Sequence, residues 1–152
     1  MDNLKLQELE CRKRYLKRYR KNRALIDRLS DKVAALDDRI YGLRSPVISD
    51  MPRGGKRVEV SDLIADREEL ERRIDRLECK GKEIKSEILD QIDGLDDPRY
   101  AEVLESFFID CKDFYQIAEE MDYTERHIIR LYSEGILALN GCQDPDGNIS
   151  VN

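Results

Sequence analysis

From Tyr15 to Leu43 the chain carries a repeat whose spacing alternates four and three without a slip: Tyr15, Tyr19, Asn22, Ile26, Leu29, Val33, Leu36, Ile40 and Leu43. That period keeps one stripe of a helix facing a partner helix. Asn22 is its only polar member, and a lone buried Asn often fixes register or oligomer state. A second segment repeats the pattern through Leu63, Arg67, Leu70, Ile74, Leu77, Gly81, Ile84 and Ile88. Arg67 and Gly81 weaken this second stripe. Ser61 reads as its N-cap, with Asp62 in the first turn.

Between the two segments lies RSPVISDMPRGGKRVEV, with Pro46, Pro52 and the pair Gly54-Gly55. Proline cannot continue a helix and glycine punctuates one, so residues 44–59 are expected to form a connection. Two heptad helices joined by one loop fold back most simply as an antiparallel hairpin, with pairing between chains as the alternative. The loop is longer than a hairpin needs, and long loops in compact proteins are usually functional or mobile.

After Gly94 the texture changes. Asp97-Pro98 reads as an N-cap followed by proline at the first helical position, and Tyr100, Val103, Leu104, Phe107 and Phe108 then share one face of residues 98–109. Asp113 with Gln116 three places later resembles a capping box for a helix reaching about Met121. Thr124 is a further N-cap candidate, for a helix ending near Leu139 before Gly141. A short helix, a tight turn and a second helix of this length make a helix-turn-helix. At 100° per residue, Ile128, Tyr132, Gly135 and Leu139 form the inward stripe, with Leu131 and Ile136 at its margins. Arg126, Arg130 and Ser133 fall on the opposite side, flanked by His127 and Glu134. Thr124, Arg126, His127 and Arg130 form an outward polar edge at the N-terminal half, the half that usually meets base edges, and with Ser133 they are the candidate DNA-contacting residues. Arg reads guanine bidentately, and Thr or the helix N-terminus holds a phosphate.

Charge is strongly segregated along the chain. Residues 1–23 carry +6 and residues 44–57 carry +3, whereas residues 58–97 carry −7 and residues 98–140 carry −5, within a net charge of −6. Lys17 and Lys21 in the basic arm, and Arg53, Lys56 and Arg57 in the loop, are candidate phosphate contacts that offset the acidic body. The rest of the arm, Arg12, Lys13, Arg14, Arg18, Arg20 and Arg23, points to the same use.

The remaining composition excludes other classes. Charged residues make up 39% of the chain and Trp is absent, a balance that suits solvated helices better than a thick core. No apolar run approaches the ~18 residues of a membrane span, and the first residues lack the apolar stretch of a secretory signal. The expectation is a soluble, cytoplasmic protein that contacts no membrane. Cys11, Cys79, Cys111 and Cys142 form no C-x-x-C pair and His127 is the only histidine, so neither a metal nor a cofactor is expected. No Gly-rich phosphate loop or nucleophile elbow is present, and the chain reads as a non-enzyme. In the tail, Asp144-Pro145-Asp146-Gly147-Asn148 lacks the twelfth-position ligand of a calcium loop and reads as a turn in a flexible terminus.

The stretch YAEVLESFFIDCKDFYQIAEEMDYTERHIIRLYSEGILAL resembles the C-terminal helix-turn-helix of bacterial sigma-70 factors, which reads the −35 promoter element. The matching residues are Val103-Leu104, Gln116-Ile117-Ala118, Met121, Thr124, Ile128 and Ile136-Leu137-Ala138-Leu139. Sigma-like modules on a coiled-coil half also resemble phage and prophage regulators of the RinA/ArpU kind. Ser45-Pro46 with Ser49-Asp50-Met51-Pro52-Arg53-Gly54-Gly55 looks like a linker of related phage proteins. The resemblance implies late-gene activation in a bacterial host cell, with double-stranded DNA and RNA polymerase as partners. Glu125 and Glu134 beside the recognition helix depart from that pattern.

The expected architecture is all-α. Residues 1–95 form a long antiparallel helical hairpin, residues 96–140 a sigma-like helix-turn-helix domain, and residues 141–152 a tail. The heptads are read as a homodimerisation surface or a polymerase contact. Two other functions fit the same residues: a small terminase-like DNA-packaging subunit, which assembles into a ring, and a protein-interaction adaptor with no nucleic acid partner.

Overall fold

The computed structural model describes residues 2–44 and 59–140. These residues form five α-helices and no strand: α1 (Asn3–Arg44), α2 (Val60–Asp93), α3 (Pro98–Phe108), α4 (Phe114–Met121) and α5 (Glu125–Ala138). The protein is thus all-α, as its periodicities require. The central part of the connection between α1 and α2 and the tail from Gly141 onward lie outside the described residues. No described helix is long and apolar enough to cross a membrane.

Two compact units are present, Met1–Lys21 with Gly81–Asn152, and Asn22–Lys80. This grouping differs from the division read after residue 95. It places the first turns of α1 and the end of α2 with the three short helices, because Leu9, Tyr15, Leu16, Ile84, Ile88 and Ile92 share one core with α3, α4 and α5.

In the Asn22–Lys80 unit the heptad positions do what their spacing predicts. Ile26, Leu29, Ile40 and Leu63 are buried, and Val33, Leu36, Leu70, Ile74 and Leu77 are half-buried. Asn22 is buried among them, and its Nδ2 donates to the Leu77 carbonyl at 2.9 Å. Arg67 sits half-buried on the α2 stripe and answers to Asp37 of α1 and to Glu71 one turn on. Contacts from 22 to 77 and from 37 to 67 thus pair rising numbers on one helix with falling numbers on the other. Leu43 closes the sequence pattern but is exposed; the stripe is covered as far as Ile40. Helix α2 also opens earlier than Ser61. The Glu59 carbonyl accepts from the Asp62 and Leu63 N–H groups, so Ser61 lies inside the helix and its Oγ donates to Glu59.

In the other unit the short helices are punctuated by their caps. The Asp97 side chain accepts from the Arg99 N–H with Pro98 at the first turn, and the neighbouring Arg99 guanidinium holds the Asp97 carboxyl below its ordinary range. Asp113 and Gln116 form a complete capping box on α4. That helix ends at Asp122 in the left-handed region, φ 58°, a conformation that Asp tolerates better than most residues. The Tyr123 N–H bonds back to the Ala118 carbonyl, and Thr124 caps the next helix by accepting from the His127 N–H at 3.2 Å. The turn is therefore three residues long and is tied by these bonds to the helix on either side.

Helices α3 and α5 approach closely at Gly135. A Cβ there would stand 3.1 Å from the Cβ of Tyr100 and 3.3 Å from Leu104 Cδ1. The Tyr100 Cβ is fixed to its backbone and cannot rotate away. Gly135→Ala should therefore lose stability, by about 1 kcal/mol net, although alanine is the better helix former by a similar amount. Urea unfolding of the variant measures this, and a gain in stability would show that the helices separate freely at this point.

Four rings fill the centre of this unit. Phe107 stacks on Phe114 at 4.8 Å and meets Phe108 edge-on at 4.9 Å, while Tyr132 lies 5.5 Å from Phe108 and 5.1 Å from Phe114. Burial pushes the Tyr132 phenol up to about 12. As pH rises the unfolded chain therefore loses this proton first, from about pH 10, while the folded chain keeps it. The stabilisation is complete below that point and falls away between about pH 10 and 12, with a limiting slope of about 1.4 kcal/mol per pH unit. Tyr132→Phe is the proper comparison, because it removes this phenol alone. Denaturant unfolding at about pH 9 and 11 should show wild type declining more steeply than the variant; parallel declines would remove Tyr132 as the cause.

Candidate nucleic-acid interface

Helix α5 has one buried and one open side. Ile128, Leu131, Tyr132, Gly135 and Ile136 are buried, and Leu139 beyond its end is buried as well. On the open side Thr124, Arg126 and Arg130 are exposed, and His127 and Ser133 are half-buried. Thr124, Arg126, His127 and Arg130 therefore lie at the cap and in the N-terminal half of α5 and Ser133 one turn beyond Arg130, with Ser133 and His127 more covered than the two arginines. Tyr123 accounts for the cover on His127: the two rings meet edge-on at 4.6 Å. The Thr124 oxygen is occupied as a cap acceptor, which leaves its O–H free to donate.

The charges on this face are mixed. Arg126 makes no ion pair among the described residues, whereas Arg130 stands 3.6 Å from Glu134, with both side chains largely exposed. An exposed pair at i, i+4 is worth a few tenths of a kcal/mol, so Arg130 is released at little cost. Glu134 has a second partner, the Tyr100 hydroxyl, which donates to it at 3.0 Å; that bond holds the phenol proton and raises the Tyr100 pKa. Glu125 lies in the first turn of α5. It suits the positive end of the helix dipole.

The basic arm is divided between two uses. Lys17 and Lys21 are exposed, lie one turn apart on α1, and form no ion pair among the described residues. Arg12, by contrast, donates from Nη1 to the Ile136 and Leu137 carbonyls at 3.0 and 2.6 Å and pairs with Glu8. It satisfies the carbonyls that a helix end leaves open. Arg18 lies 4.3 Å from the Tyr15 ring and pairs with Glu87 at 3.1 Å. Glu87 is held below the usual carboxylate range chiefly by the Tyr15 hydroxyl, which donates at 2.7 Å. The Arg20 guanidinium lies 4.1 Å from the Phe107 ring. Arg12, Arg18 and Arg20, read from sequence as part of a phosphate-gripping arm, are thus engaged within the fold. A signal for this exists in the sequence: Leu9, Arg12, Leu16 and Arg20 also follow helical spacing, and they run beside the recognised stripe.

Arg53, Lys56 and Arg57 lie outside the described residues. Among the described residues no group of three or more His, Cys, Asp or Glu is placed to hold a metal ion. No protein-family model matches the sequence, and no curated protein and no solved structure matches it either.

Proposed function

We propose that the chain is a sequence-specific DNA-binding transcriptional regulator of phage or prophage genes. In this reading α1 and α2 form a long antiparallel helical hairpin, and α4, the three-residue turn and α5 form the helix-turn-helix. One observation carries the reading: α5 is held by its buried stripe behind a tight capped turn while Arg126 and Arg130 stand exposed on its open N-terminal half. Arg126 and Arg130 read guanine edges in the major groove. Thr124 and the helix N-terminus position a phosphate, and Lys17 and Lys21 neutralise flanking phosphates. The heptads supply a homodimer contact or a surface for RNA polymerase, in the cytoplasm of a bacterial host. The activity is binding rather than catalysis.

A second reading, an adaptor with no nucleic acid partner, is favoured by the acidic balance of residues 98–140 and by the engagement of Arg12, Arg18 and Arg20 inside the fold. Fluorescence anisotropy with a randomised duplex pool at two salt concentrations separates the two. The regulator enriches one sequence and loses affinity as salt rises. Absence of binding at low salt would transfer the function to the helical surfaces.

A further inference from the structure

We propose that Ile129 reads thymine, its side chain packing on the C5-methyl group in the major groove. This rests on the DNA-binding reading above and assigns a specificity residue within it. Ile128, Leu131 and Ile136 on the same helix are at most 1% exposed, whereas Ile129 is 45% exposed. At 100° per residue it lies about 60° from Arg126, 100° from Arg130 and 40° from Ser133. An apolar side chain is thus exposed at the edge of the polar face that would enter the groove. The other exposed large apolar residue of α5, Leu137, lies two turns further on, and its carbonyl is taken by Arg12. It is therefore outside the N-terminal half that meets base edges.

The chemistry singles out one base. In the major groove only thymine presents a methyl group, and a side chain of this kind gains nothing from the amino and carbonyl edges of the other bases. Arg126 and Arg130 lie together to one side of it, about 40° apart, and the branched side chain beside them adds discrimination of T·A from C·G. Two arginines alone favour guanine-rich sites. The predicted operator therefore carries thymine next to guanine in each recognised half.

The test uses the full chain and the duplex that selection from a random pool enriches. That duplex is synthesised with thymine, and then with deoxyuridine replacing thymine one position at a time. At one or two positions uracil should weaken wild type about fourfold, the effect of one methyl group withheld from burial. Ile129→Ser should bind both duplexes alike, and Ile129→Val should keep the preference. Position 129 is exposed, so unchanged helical circular dichroism serves as the folding control. Specific binding by wild type that ignores uracil at every position overturns the assignment and leaves the DNA-binding reading standing, as does a preference that survives in Ile129→Ser. Failure of the pool to yield any enriched duplex overturns both.

Discussion

Phe108→Ala should lower the free energy of unfolding by about 3–5 kcal/mol. Phe108 is 0% exposed and touches both Phe107 and Tyr132. Those neighbours come from α3 and α5, so truncation opens a cavity at the junction on which the short helices depend. The surrounding rings are held on different helices and cannot all move inward together, which leaves most of the cavity unfilled. A domain of this size has only about 5–15 kcal/mol in total, so the variant should be partly unfolded at moderate urea. Tyr115→Ala provides the contrast. Tyr115 sits on α4 at 57% exposure, and surface substitutions usually stay within about 0.5 kcal/mol. Equal midpoints for the two variants would mean that the aromatic cluster is not the centre of the core.

Much of this arrangement is legible in the sequence, and the residues show where legibility ends. The caps Asp97, Asp113 and Thr124 act on neighbours two or three positions away, so local sequence specifies them. The inward stripe of α5 follows from its period, and each of its members is buried. A heptad, however, describes one partner helix. In the unit that contains the three short helices, α1 meets more than one neighbour, and Leu9 and Leu16 are buried although they lie off the Tyr15–Leu43 stripe. Cations next to such a second stripe find uses that charge counting does not show. Arg12 ends at carbonyls more than 120 positions away in sequence, a pairing that no local rule predicts. Net charge is therefore a poor guide to which arginines remain available for a partner. The exposure of Lys17 and Lys21 and the engagement of Arg12, Arg18 and Arg20 separate only once the fold is known.

That separation decides what substitution on each basic surface should do. Under the proposed DNA-binding function, Arg130→Ala should weaken binding to the selected duplex by about 1–3 kcal/mol, and Arg126→Ala/Arg130→Ala by more, because each variant removes a guanidinium fork proposed to read a base. The loss should be confined to that duplex: affinity for a scrambled sequence changes little, so specificity collapses while the salt dependence is nearly preserved. Lys17→Ala/Lys21→Ala should behave in the opposite way. Each lysine that neutralises a phosphate contributes about one unit to the slope of log affinity against log salt concentration. Removing both should flatten that slope by about two and weaken selected and scrambled duplexes alike. Arg12→Ala supplies the internal control, since its guanidinium binds the end of α5 and its loss should appear first in unfolding experiments. Anisotropy titrations on both duplexes at several salt concentrations resolve all three patterns. An arginine double variant that retains full discrimination would remove Arg126 and Arg130 as the reading residues of α5.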